Sequence, residues 1–198
     1  EVYAPAGAAP AAGLLDLGQA VRAYYSELYQ GYPFSRLAMT PISDDAGVAI
    51  GPQANIFLPA SFYRFTPEDD LWPTIRQTVA HEIGHQYFFN LVGILDAEEA
   101  WLSESFAEYS ATRFDAELTG TEDHRRTNAW TYLYEVPPEL DEAVFGEAVR
   151  ANPFYFQIVY LKGSNVLHIF RRRLGADRFD EAMRDYVSAF AGQLSTTP

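Results

Sequence analysis

Apolar residues recur at helical spacing from Leu14 to Tyr29, at Leu14, Leu17, Val21, Tyr24, Tyr25 and Leu28, until Gly31 and Pro33 stop the run. Residues 4–13, ahead of it, are small and punctuated by proline, the composition of a linker. Two strand-like segments follow, Arg36–Ile42 and Val48–Phe65. The second is interrupted by Gly51-Pro52 and Pro59. Proline has no N–H for a ladder, so this segment predicts an edge or broken strand. Pro73 precedes a helical pattern over Thr74–Leu91, and another covers Ala100–Leu118, closed by Gly120. Residues 121–150 are acidic, proline-rich connections around Trp130, Tyr132 and Tyr134, in part helical. A long helix over Phe156–Leu174 stops at Gly175, and a last amphipathic one spans Asp177–Ala191. A small sheet followed by helices predicts an α+β fold, with one domain over 14–198.

Composition narrows the picture in three ways. At 198 residues and 48% hydrophobic content, the chain suits a single globular domain with a full core. It contains no cysteine, so a bound metal must rely on His, Asp or Glu. The formal net charge of −13 argues against a nucleic-acid partner, which needs a basic surface. No apolar run reaches the ~18 residues of a membrane-spanning helix. The start, Glu1-Val2-Tyr3, lacks Met and a basic leader, and reads as trimmed from a larger polypeptide. The Ala/Pro stretch leans towards a bacterial envelope protein, with the compartment left open.

The chemistry lies in His81-Glu82-Ile83-Gly84-His85. Residues four apart share a helix face, so both imidazoles can reach one cation. Glu82, beside the first histidine, can act on a water at that cation without being a ligand. Eighteen residues after His85 comes Glu104, in Trp101-Leu102-Ser103-Glu104-Ser105-Phe106-Ala107-Glu108-Tyr109. That gap lets one helix end and the next return antiparallel. Two imidazoles and a carboxylate with an open fourth position are a catalytic Zn²⁺ set. Glu108, one turn beyond Glu104, is assigned to a ligand histidine's outer N–H. His124, among Glu122, Asp123, Arg125 and Arg126, reads as solvated loop, and His168 as a packing residue.

These strings resemble the gluzincin metallopeptidases of the aminopeptidase N type. The likeness runs through His81–Val92, Trp101–Tyr109 and Val159-Tyr160-Leu161-Lys162-Gly163-Ser164-Asn165-Val166-Leu167, and covers most of residues 14–190. It implies a zincin-like, thermolysin-type catalytic domain without the family's flanking domains. It also implies that zinc-dependent hydrolysis of a peptide or protein substrate is the activity. Glu82 would be the base and Tyr160 the donor to the oxyanion. Members carry Gly-Ala-Met-Glu-Asn on an edge strand, where the glutamate binds the substrate's free amine. The nearest stretch here is Gly51-Pro52-Gln53-Ala54-Asn55, with Ala54 at the glutamate's place. Gly51 and Asn55 are therefore the expected substrate-binding positions, and strand Asn55–Ala60 the edge that an extended substrate joins. Exo- and endopeptidase action stay open. Ser103 and Ser105 replace the usual Asn and Gly, with little effect expected. The competing readings are a different zinc hydrolase or a weakly active peptide-binding module on the same fold.

Overall fold

Residues 11–95 and 97–197 are described by the structure, a computed structural model. Helix α1, Ala11–Leu28, buries Leu14, Leu17, Val21, Tyr25 and Leu28 along one stripe, as its spacing predicts. It begins at Ala11, so the last three residues of the expected linker are helical, while residues 1–10 lie outside the described part. Two phenols tie α1 to the helices beneath it. Tyr25 Oη donates to the Ala80 carbonyl at 3.1 Å, and Tyr29 Oη lies 2.7 Å from Ser110 Oγ.

Strands β1 (Ala38–Ile42) and β2 (Asn55–Pro59) pair in parallel, from Ala38 opposite Asn55 to Ile42 opposite Pro59. On β2, Ile56 and Leu58 face the core while the alternate residues are half-buried. The chain leaves the strand at Pro59 and continues as a 3-10 turn, Ala60–Arg64, so the expected long strand is mostly not strand. Phe57 exchanges both backbone hydrogen bonds with Ile50, at 3.1 and 2.7 Å. The edge of β2 away from β1 is thus taken by Ile50 at Phe57, the middle of the stretch where the sequence had placed an extended substrate.

Helix α2, Trp72–Gly84, is shorter than the Thr74–Leu91 pattern. Tyr87, Phe88 and Val92 are buried as a helix continuation would require, but they are core anchors on a non-helical turn. Asn90 closes that turn, its Nδ2 donating at 2.7 Å to the carbonyls of both His85 and Gly51. The two-residue strand β3, Gly93–Ile94, then pairs with β4, Leu194–Ser195, near the end of the chain. Two residues carry no readable alternation, and neither strand was expected.

Helix α3, Trp101–Thr119, ends on Gly120 in the left-handed conformation, φ 71°. Helices α4 (Asp123–Glu135) and α5 (Glu147–Arg150) follow. The expected helix from Phe156 is two pieces, a π turn over Gln157–Lys162 and α6 over Gly163–Leu174. Helix α7, Ala176–Phe190, is clamped to α3 by Arg113, which donates to both oxygens of Asp180 at 2.6 Å. The main core lies between α1, β2, α2, α3 and α7, and a smaller cluster of Val136, Val149, Ile158 and Val159 underlies the π turn. Among the described residues, no helix is long and apolar enough to cross a membrane.

Candidate metal centre and cleft

The site forms where α2 crosses α3. Gly84 lies between His81 and His85, and Ala107 lies between Glu104 and Glu108. A Cβ on Gly84 would stand 3.0 Å from the Ala107 Cα, so the two backbones touch at this crossing. Two histidines from one helix and two glutamates from the other are thereby brought face to face.

His81 Nε2 and His85 Nε2 are 3.1 Å apart, and Glu104 Oε2 is 3.3 and 3.2 Å from them. Ligands at about 2.0–2.1 Å from a tetrahedral zinc stand about 3.3–3.4 Å from one another. The triangle therefore has the edge lengths of three corners of such a tetrahedron. Each Nδ1 is engaged on the far side of its ring. His81 Nδ1 is 3.1 Å from Glu108 Oε2, and His85 Nδ1 is 3.1 Å from the Phe88 carbonyl. A proton on each Nδ1 satisfies those acceptors, so that a cation replacing the Nε2 protons that face Glu104 would find both Nε2 lone pairs aimed at it. The donor set thus fits Zn²⁺. Burial disfavours charge on His81, but its hydrogen bonds to Glu104 and Glu108 outweigh this and raise its pKa to about 10. Burial likewise opposes charge on Glu104, and the hydrogen bonds from His81 and His85 override it, holding the carboxyl well below its usual range. The cluster stabilises positive charge at its centre.

Glu108 collects three donors: His81, Gln77 Nε2 at 2.9 Å and Asn128 Nδ2 at 2.6 Å. Gln77 was overlooked in the sequence, although it continues the 81/85 face one turn earlier. Asn128 arrives from α4 with no local signal. Ser103, expected to matter little, has its Oγ 3.0 Å from His85 Nδ1 and donates to the Phe88 carbonyl at 3.0 Å.

Glu82 is buried beside the triad, and that burial raises its pKa against the pull of His81 and His85. Gly51 packs against it. A Cβ there would come within 2.5 Å of the Glu82 carbonyl and 3.0 Å of its carboxylate. Tyr160 stacks on His81 with ring centroids 5.6 Å apart and planes at 11°. Burial and the nearby Glu104 carboxylate keep its phenol protonated, well above the usual range.

A cleft of about 870 Å³ opens over these groups. Gly51 lines it, as expected, within the segment Gly47–Pro52. Asn55 does not belong to the lining. Its Oδ1 accepts from Thr40 at 3.1 Å and its carbonyl from Gln86 at 3.3 Å. Nor does Ala54, whose N–H is bound to Gln86 Oε1 at 2.7 Å; Ile50 is among the residues of this segment that do line it. His124 is a further correction: it sits in the first turn of α4 and lines the cleft instead of a solvated loop.

A small sheet followed by helices, with an HExxH helix crossing a second helix that brings a glutamate to the same point, defines a zincin-like metallopeptidase domain of the gluzincin class. The chain belongs to peptidase family M1: the model for the Peptidase family M1 domain matches residues 67–197. It is 27% identical over 192 residues to Aminopeptidase M1-D of Oryza sativa subsp. japonica, covering 89% of this chain and 21% of that protein. To human Endoplasmic reticulum aminopeptidase 2 it is 26% identical over 189 residues, covering 84% and 18%. The chain thus spans about a fifth of the length of these relatives. Among solved structures, the M1 zinc metallopeptidase from Deinococcus radiodurans superposes with a TM-score of 0.70 at 23% identity, over 98% of this chain and 41% of that one. A variant of that enzyme bound to a Tyr-Ser-Ala substrate gives 0.70 at 20% identity, over 98% and 40%. The α+β zincin-like architecture expected from the sequence is the one observed.

Proposed function

We propose that this chain hydrolyses peptide bonds with a zinc ion held by His81, His85 and Glu104. The observation that carries the reading is the convergence of those three donor atoms, 3.1–3.3 Å apart, beneath an open cleft. Zinc in such a site supplies a Lewis acid that brings the pKa of water towards about 7 and polarises a carbonyl. Glu82 takes the proton of the attacking water and passes it to the leaving amine, a role that its burial-raised basicity suits. Tyr160, protonated and stacked on His81, donates a hydrogen bond to the developing oxyanion. Val48, Ile50, Phe62, Phe89 and Phe156 form apolar walls that exclude water around an extended peptide.

The same lining gives no reason for a substrate to need a free amine. Among the described residues it contains three carboxylates, Glu82, Glu104 and Glu108. Glu104 faces both histidines and Glu108 is saturated by three donors. Glu82 is committed as the base, so none remains to offset the desolvation of a substrate ammonium.

The test is digestion of matched peptides with free and acetylated N-termini, with and without chelator, alongside an Ile50→Glu variant. The expected result is chelator-sensitive cleavage of both forms, with Ile50→Glu shifting preference towards the free amine. Cleavage confined to free N-termini would refute the amine argument. Turnover of peptides that persists in chelator would refute the zinc mechanism, and hydrolysis of esters but not peptides would favour a different zinc hydrolase.

A further inference from the structure

Tyr160 sits on a π turn, and Ser105 is bonded to a carbonyl of that turn. In an α-helix the Gly163 N–H would bond the carbonyl four residues back, that of Val159. Here it bonds Ile158 O, five residues back, and Tyr160 O. The Val159 carbonyl instead receives the Ser105 hydroxyl at 2.5 Å, across a separation of 54 residues. Ser105 belongs to α3 and directly follows Glu104, so this contact links the helix carrying the third ligand to the turn carrying the phenol.

The bond is not what a helical serine does by default. A serine inside a helix commonly donates to the carbonyl one turn back on its own helix. Ser110, also on α3, does so, reaching Phe106 O at 2.7 Å. Ser105 reaches across to the π turn and is fully buried there. Its partner position is shaped to admit it. A Cβ on Gly163 would lie 2.0 Å from Ser105 Oγ and 2.7 Å from Ser105 Cβ, so glycine is needed for the hydroxyl to enter. The string that Trp101–Tyr109 resembles has glycine where Ser105 stands, so the hydroxyl is a feature of this chain.

We infer that Ser105 is a positioning residue: by taking the Val159 carbonyl it holds Gln157–Lys162 in π register and sets the Tyr160 hydroxyl over the metal centre. π turns are rare, and within longer helices they tend to mark functional positions. Tyr160 lies within this turn, with its ring nearly parallel to that of His81. The inference rests on the reading of Tyr160 as the oxyanion donor, and its test separates the two.

Four proteins are compared at matched zinc content: the natural chain, Ser105→Ala, Tyr160→Phe, and the double variant. Loss of one aligned hydrogen bond predicts that Ser105→Ala lowers kcat about 5- to 10-fold, with KM and zinc content unchanged. In the Tyr160→Phe background the same substitution changes kcat by less than about twofold, because the group it positions is already gone. Equal losses in both backgrounds would make Ser105 a general structural residue and overturn the inference. So would a full-rate Ser105→Ala beside an impaired Tyr160→Phe. A full-rate Tyr160→Phe would instead remove the donor role itself, and the inference with it. If Ser105→Ala melts below the assay temperature, Ser105→Gly reads the same contact with the residue found in the resembling string.

Discussion

Replacing Glu108 by glutamine separates a metal-supporting role from a merely structural one. The carboxylate accepts three hydrogen bonds: Oε2 from His81 Nδ1, and Oε1 from Gln77 Nε2 and Asn128 Nδ2. An amide has only one accepting oxygen. If it faces Gln77 and Asn128, its NH₂ meets the His81 Nδ1–H, donor against donor. The imidazole then moves its proton to Nε2 and loses the lone pair that faces the metal. If it faces His81 instead, the NH₂ meets two side-chain amides that must turn over. Gln77 can do so, because its Oε1 has no hydrogen-bond partner. Removing an outer partner of a ligand histidine typically lowers metal affinity about 10- to 100-fold, roughly 1.4–2.7 kcal/mol. That range is the prediction for Glu108→Gln. Glu108→Ala orphans three buried donors at about 1–3 kcal/mol each, so its stability should fall by about 3 kcal/mol or more. Zinc Kd is read by competition with a chelator of known affinity, and stability by denaturant unfolding of the zinc-loaded protein. A Glu108→Gln protein with zinc affinity within twofold of the natural chain, but destabilised like Glu108→Ala, would refute the reasoning. Glu108 would then serve to hold α4 on α2.

Two further outcomes probe the centre directly. A His81→Ala, His85→Ala double variant keeps one of the three converging donors, and elemental analysis should find zinc far below stoichiometric; full occupancy would show that the metal lies elsewhere. Glu82→Gln removes the base and no ligand, so zinc content should hold while kcat falls by 10²-fold or more, in the range of general-base loss; retained turnover, or zinc lost in step with activity, would return Glu82 to a structural or ligand role.

Much of the site was legible because its chemistry follows helical periodicity. His81 and His85 lie one turn apart, and Glu104 and Glu108 repeat the interval on the next helix, so spacing alone faces each pair inward. Tyr160 was legible only through the string around it, since nothing in an isolated apolar run announces a π turn. What escaped the sequence is what depends on contact between distant segments. Asn128 reaches Glu108 across 20 residues, and Ser105 reaches Val159 across 54. Ser103 was expected to matter little, yet its hydroxyl meets both the Phe88 carbonyl and His85 Nδ1. The loop before α2 was misread for a similar reason. Asn55 was placed at the cleft by its match to the family's edge-strand string, whereas its side chain and carbonyl are taken by Thr40 and Gln86, and Gly47–Pro52 forms the wall.

The contact between Gly84 and Ala107 makes a methyl group at position 84 into a wedge. The 3.0 Å approach is about 0.4 Å inside the 3.4 Å at which ordinary Cβ contacts begin, and the nearest atom is backbone, which cannot swing aside. Helix packing absorbs a few tenths of an ångström readily, because interhelical spacings vary over about 8–10 Å with the side chains at the crossing. A metal site does not, since its ligand distances hold to about ±0.2 Å. The same small displacement is therefore minor for the fold and large for the triad of His81, His85 and Glu104. Damage at this crossing would leave a protein that still folds but has lost its grip on the ion, so a melting curve alone would report it as intact.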